Sequence, residues 1–148
     1  MLEKAAVTGV TCTLDEAVYE VDGASMADLV EALADAAVTV DAIMQIGPHI
    51  AFSARRGAGL ACATVLDRLG ATWSERDHLG RVTVAGARMD RDPRIAARAF
   101  AAVRDLRLEP QFSTASPTRI AFYVARPDAE RVVGTLHEAF GLAEEARA

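Results

Sequence analysis

Two cysteines, three histidines and several acids near helix starts are the residues with chemistry to offer in this 148-residue sequence. A catalytic thiol needs a base or a helix N-terminus beside it. Cys12 sits in a β-branched run and Cys62 among alanines on a helical pattern, so both read as small buried hydrophobes. Their spacing matches no metal knuckle, and unpaired cysteines of this kind suit a reducing compartment. His49, His78 and His137 are scattered, with no partner one helical turn away and no acidic cluster, so no metal centre is expected. His137 falls near a helix C-terminus, where a contact with the dipole or a surface role accounts for it. There is no phosphate-cradling loop and no G-x-G-x-x-G run, so nucleotide binding by those routes is excluded. No catalytic residue and no cofactor is expected.

The elements that must position the remaining polar groups repeat. Ala6 to Thr13 reads as a first strand, Leu14-Asp15 as a turn, and Glu16 to Val21 as a second strand. After Asp22-Gly23, Ser25 is an N-cap with Asp28 three residues on, and Met26, Leu29, Val30, Leu33 and Ala37 form one apolar stripe. A strand over Val38 to Ile46, a turn at Gly47-Pro48 and a strand from His49 to Ser53 follow. A helix from Leu60 to Leu69 stops at Gly70. Thr72 begins another strand, Leu79-Gly80 turns the chain, and Arg81 to Ala85 alternates again. Asp92 then caps a helix with Pro93 in its first position, buried through Ile95, Ala99, Ala102, Val103 and Leu106. Strands over Leu108 to Thr114 and Arg119 to Val124 precede a last helix from Asp128 to Phe140, ended by Gly141. Gly86-Ala87-Arg88-Met89 echoes Gly23-Ala24-Ser25-Met26, and Ile120-Ala121-Phe122 repeats Ile50-Ala51-Phe52. Two copies of β-α-β-β-α-β define an α+β protein of two ferredoxin-like units packed side by side, with antiparallel sheets and helices on one face. Met26, Met44 and Met89 are expected as core filling.

Composition bounds the function. Sixteen basic residues against 21 acidic ones give a formal charge of −5 and no concentrated basic face, which excludes nucleic acid as the main partner. No apolar run reaches the ~20 residues needed to cross a bilayer, and MLEKAAVTGV does not read as a signal peptide. A cytoplasmic protein is expected.

Several ordered stretches resemble the regulatory (beta) subunit of heteromeric aspartate kinase, a stand-alone pair of ACT domains. In the first half these are Ala6-Val7-Thr8-Gly9-Val10, Asp15-Glu16-Ala17, and Glu31 to Ala36 running into Val40-Asp41 and Gln45. In the second they are Asp77 to Val82, Gly86 to Met89 with Pro93, and Leu136 to Leu142. The resemblance implies ACT domain 1 at 15–80, inserted into ACT domain 2 formed by 1–14 plus 81–142, with a C-terminal tail at 143–148. It also implies an allosteric role without catalysis, in which threonine or lysine binds between ACT domains and a paired aspartate kinase catalytic subunit is inhibited. The pattern departs from the family at the ligand positions. Val21 to Met26 joins strand to helix without the family's D-x-P-G-type turn, and the long turn between the next strands shrinks to Gly47-Pro48. Glu109-Pro110 replaces an Asn-Ile pair, and Ser113-Thr114-Ala115-Ser116 replaces a Ser-Thr-Ser stretch, while Gln45 is kept.

A free amino acid needs donors for its carboxylate and acceptors for its ammonium group. Helix starts offer backbone N–H groups and a favourable dipole, so the amides at Ser25 and Met26 and those after Asp90 are the anion candidates. Asp22, Gln45 and Glu109 offer oxygens to the ammonium, and Ser116 completes the effector-binding set. Each also has a plainer reading: Asp22 as a turn residue, Gln45 as a strand-end polar group, Glu109 as an exposed strand residue. Pro110 removes a backbone N–H that the family pattern turns toward the ligand. Exposed sheet edges invite pairing into a homodimer. The alternative function is a scaffold that has lost effector binding and only supports a partner enzyme or dimerisation.

Overall fold

A computed structural model describes residues 6–142. The tail expected at 143–148 lies outside the described residues, as do the first five residues. The elements run β1 (Ala6–Asp22), α1 (Met26–Asp35), β2 (Val40–Ile46), β3 (His49–Arg55), α2 (Gly59–Arg68), β4 (Thr72–Ala87), α3 (Pro93–Asp105), β5 (Phe112–Ala115), β6 (Arg119–Ala125) and α4 (Ala129–Phe140). Short 3-10 turns precede α2, α3 and α4. By contact the chain divides into two compact units, Asp15–Leu79 and the residues up to Leu14 with those from Gly80 onward.

In the Asp15–Leu79 unit the strand order is β2-β3-β1-β4. The β1–β3 and β2–β3 pairs are antiparallel, with Val21 opposite Ile50 on one side and Gln45 opposite Ile50 on the other. Alternate residues of β1 and β3 (Tyr19, Val21, Ile50, Phe52) point to one face, where they meet Leu29 and Leu33 of α1 and Cys62 and Leu66 of α2. The Tyr19 and Phe52 rings stack at 4.9 Å, and the Tyr19 hydroxyl donates to Glu75 Oε2 at 2.6 Å. Burial and the Glu75 carboxylate both push the Tyr19 phenol up, so it stays protonated.

In the other unit the order is β1-β4-β6-β5, with β5 and β6 antiparallel. Val10, Val82, Val84, Ile120, Phe122 and Val124 from the strands pack on Ile95, Ala99 and Val103 of α3 and on Val132, Val133 and Leu136 of α4. Phe100 meets Phe122 edge-on at 4.8 Å. Four helices on antiparallel strands give the expected α+β class. Among the described residues no helix is long and apolar enough to cross a membrane.

Several elements differ from the sequence reading. β1 is one 17-residue strand and β4 one of 16, with no turn at Leu14-Asp15 or Leu79-Gly80. Gly80 lies inside β4 because a Cβ there would come 2.7 Å from the Ala129 Cβ, so it serves close packing and not chain reversal. The irregularity in β4 is at His78, whose φ is +58°. The strand expected from Leu108 begins only at Phe112, since Pro110 cannot donate to a ladder. Val30 and Met44 are exposed and not core, and Ala37 lies beyond the end of α1 with φ +57°. His137 is 2% exposed and not a surface group, and among the described residues neither ring nitrogen has a hydrogen-bond partner.

Candidate functional site

The register of β1, β2 and β3 gathers the polar residues of the Asp15–Leu79 unit at one end of its sheet. β1 ends at Asp22, β2 ends at Ile46, and β3 starts at His49, so all three termini meet where α1 begins. Asp22, Gln45 and the Ser25-Met26 start of α1 thus share one end of the sheet, but the register sets Gln45 on the helix-side face with Val21 and Ile50 and Asp22 on the other face with His49. Ser25 caps α1, its Oγ accepting the Asp28 N–H at 3.1 Å. That leaves the first-turn amides at Met26 and Ala27, which have no partner within the helix, as the groups to meet an anion. Met26 is half-buried against the core, so it offers its backbone to a ligand more than its side chain.

The acids at this end are already engaged. His49 Nδ1 lies 3.2 Å from Asp22 Oδ1, and its Nε2 lies 3.4 Å from Glu20 Oε1. Arg76 closes the group from β4 by donating to Glu20 Oε2. This guanidinium hydrogen bond is the main reason the Glu20 carboxyl is held below the usual glutamate range. Gln45 Nε2 donates to the Gly47 carbonyl at 3.1 Å, so its amide braces the β2–β3 turn while its own carbonyl oxygen stays available to a cation. His49, Glu20 and Arg76 were absent from the expected set. The signal for His49 was its place directly after Gly47-Pro48, which in an antiparallel β-turn-β unit puts it beside the end of β1. Arg76 comes from 56 residues away and had no local signal.

A second constellation borders the same unit. Burial pushes the Asp77 carboxyl up, but the His78 N–H and the Arg56 guanidinium (3.2 Å) together outweigh it and leave it low. This ties the turn before α2 to β4.

The two remaining residues, Glu109 and Ser116, are at opposite ends of β5 and do not meet. Ser116 lines a shallow cavity of about 200 Å³ with Met89, Asp90, Ala96 and Pro117. Its hydroxyl accepts the Arg119 N–H at 3.1 Å and donates to the Arg119 carbonyl at 3.2 Å, which makes it a turn brace. The turn is fastened to the start of the preceding 3-10 turn, the Met89 N–H donating to the Pro117 carbonyl at 2.9 Å. Asp92 fills the N-terminus of α3, accepting the Arg94 N–H at 3.0 Å, so a carboxylate already occupies the anion position there. Glu109 is exposed, off any strand, on a groove of about 350 Å³ beside α3. Cys12 is half-buried and Cys62 buried, and burial raises both thiols, Cys12 further through Glu130. Neither is an activated nucleophile. Among the described residues no group of His, Cys, Asp and Glu could hold a metal ion.

Residues 82–140 match the ACT-domain family. In sequence the chain is 29% identical over 161 residues to an aspartokinase of Corynebacterium glutamicum, an alignment that takes in 97% of this chain and 38% of that protein. The chain thus spans well under half the length of this curated relative. Among solved structures it is similar to the regulatory subunit of aspartate kinase from Thermus thermophilus in its ligand-free form, at 26% identity and a TM-score of 0.81, covering 91% of this chain and 99% of that one. It is equally similar to a chain in a structure of aspartokinase alpha and beta subunits, at 26% identity and a TM-score of 0.81, covering 93% of this chain and all of the other. Residues 82–140 thus carry an ACT-domain match, and the chain is similar along nearly its whole length to the regulatory subunits of aspartate kinase.

Proposed function

We propose that this chain is a non-catalytic, cytoplasmic regulatory protein of the aspartate kinase type, built from two ferredoxin-like ACT domains at 15–80 and at 1–14 plus 81–142. It forms a homodimer and senses a free amino acid of the threonine or lysine type, which shifts the balance between two packings of its ACT domains and so the activity of a catalytic subunit. The observation that supports this is the sheet end where β1, β2 and β3 terminate beside the start of α1, with Gln45 on the helix-side face. The first-turn backbone N–H groups of α1 for a carboxylate and the Gln45 side-chain oxygen for an ammonium stand on that face. The effector would lie at that end, against an ACT domain of the second copy. Glu109 and Ser116 then belong to an altered second half of the pocket, with Pro110 in place of a donor.

Titration calorimetry and thermal unfolding against threonine, lysine and a panel of the other amino acids test the reading. Binding raises the melting temperature with ligand concentration by mass action. Absence of heat and of any rise with every amino acid overturns the sensor.

One observation favours a second reading, a scaffold that no longer binds an effector. Asp22 is held by His49, Gln45 braces its own turn, and the Ser116 hydroxyl is spent on Arg119. A scaffold gives no amino-acid response but still co-purifies with, and stabilises, a catalytic subunit.

A further inference from the structure

Between the last turns of α1 and α2 lies a groove of about 280 Å³. Ala32, Ala36, Val65 and Leu69 give it an apolar lining, and Asp35 and Arg68 bring one charge of each sign to it. Both charged residues are exposed, and among the described residues no ion pair joins either of them to a neighbour. Beside the groove a Cβ on Gly70 would meet nothing within 4 Å, so the space continues past the end of α2.

The corresponding place in the other unit is built differently. Buried positions of the two units correspond at a spacing of 70, with Leu33 answering to Val103 and Leu66 to Leu136. At that spacing Ala36 answers to Leu106 and Gly70 to Phe140. Leu106 and Phe140 both pack on the apolar cluster of their unit, and the Arg98 guanidinium lies over the Phe140 ring at 5.8 Å. The charges differ as well. Asp105 answers to Asp35 and is already paired with Arg104, and Glu138 stands where Arg68 does. Two small residues and one reversed charge therefore make the groove a feature of the Asp15–Leu79 unit.

We propose that this groove binds a free amino acid with an aliphatic side chain, its carboxylate on Arg68, its ammonium group on Asp35 and its side chain on Val65 and Leu69. A guanidinium takes a carboxylate through two parallel hydrogen bonds, and a carboxylate takes an ammonium group by charge-assisted ones. An anion such as phosphate is repelled by Asp35, and a simple cation by Arg68, so the pair selects a molecule that carries both charges. The site is separate from the effector position of the proposed function and does not depend on it. That position lies at the start of α1, and the ten residues of the helix put about 15 Å between the two. Exposed charge pairs are individually weak, so the affinity is roughly millimolar.

Chemical-shift titration of the full chain with leucine tests the site. The amides of Ala36 and Leu69 shift and saturate with leucine. Isocaproate and isoamylamine, which keep the side chain and one charge each, shift them far less, as does glycine, which keeps both charges and has no side chain. Arg68→Gln and Asp35→Asn each weaken leucine binding by roughly fivefold. Ala36→Leu puts into the groove the side chain that the other unit has there, and it abolishes the response. All three substitutions are at exposed positions, and circular dichroism checks that each variant keeps its helices. The assignment is overturned by the absence of a saturable shift at these amides, by an equal response to isocaproate or isoamylamine, or by unchanged binding in any of the three variants. Ligand at the effector position is read instead at the amides of Met26 and Ala27, so the failure of either site is seen apart from the other.

Discussion

Gly86 has no room for a methyl group. A Cβ there would collide with the Ala6 carbonyl oxygen and lie 2.8 Å from Met89 Sδ. One contact is backbone, which cannot swing aside. Gly86→Ala is therefore expected to cost about 1–3 kcal/mol, read by urea unfolding, whereas Gly57→Ala, with nothing within 4 Å of the added atom, stays within about 0.5 kcal/mol. The repeat of Gly-Ala-x-Met made Gly86 visible in the sequence, but the sequence could not say that its neighbour is the carbonyl of a residue 80 positions earlier. The Glu20 cluster makes a second residue-scale prediction. Its carboxyl is lowered by Arg76 first, so the ionised form is favoured in the folded state. The resulting stability is present above the ordinary glutamate range and is lost as the pH falls through the lowered value. Glu20 is about a third exposed (34%), so solvent screens much of the effect. The stability gap between wild type and Glu20→Gln should be level from neutral pH down to the usual carboxylate range and shrink below it. A gap that widens in acid contradicts this assignment.

Elements were legible where their signals were local. Ser25 and Asp92 cap their helices as read, and Pro93 takes the first position of α3. Asp92→Ala should cost about 1 kcal/mol and raise the amide exchange of the first turn of α3 while leaving α4 unchanged. Elements were misread where a residue has two uses. Leu79-Gly80 has the composition of a turn, yet both are buried inside β4, and the glycine is there to admit Ala129. Leu14-Asp15 likewise sits in the middle of β1. The candidate site was half legible: helix caps and strand-end polar groups are local features, and the register brings Asp22, Gln45 and the start of α1 to one end of the sheet, with Asp22 and Gln45 on opposite faces. Glu109 and Ser116 were grouped by resemblance alone, and β5 holds them apart. Arg76 reaches Glu20 through pairing that no local pattern encodes.

For the whole molecule, each unit has its own apolar cluster, but β1 and β4 run unbroken through both. Leu33, wholly within the cluster of the Asp15–Leu79 unit, is expected to cost about 2–5 kcal/mol on truncation to Ala. The single tryptophan, Trp73, lies in the same unit and reports on it by fluorescence, while circular dichroism reports on all four helices. Because two continuous strands link the units, both signals in Leu33→Ala should shift together in one transition. A tryptophan transition that moves alone would show that the units melt independently.

The division of β1 between the two units has a further consequence for how the protein is made. Residues 15–79 are contiguous, so that unit has all its parts soon after they leave the ribosome. The other unit takes residues up to Leu14 with those from Gly80 onward, so its leading segment is synthesised before its partners and must wait for them. During translation the leading half of β1 is an unpartnered β-rich ribbon, carrying Val7, Val10 and Cys12 toward a core that does not yet exist. Synthesis of the residues from Gly80 onward therefore sets the time for which the leading half of β1 stands exposed. Slow synthesis past Gly80 is the condition under which this chain would most need a chaperone.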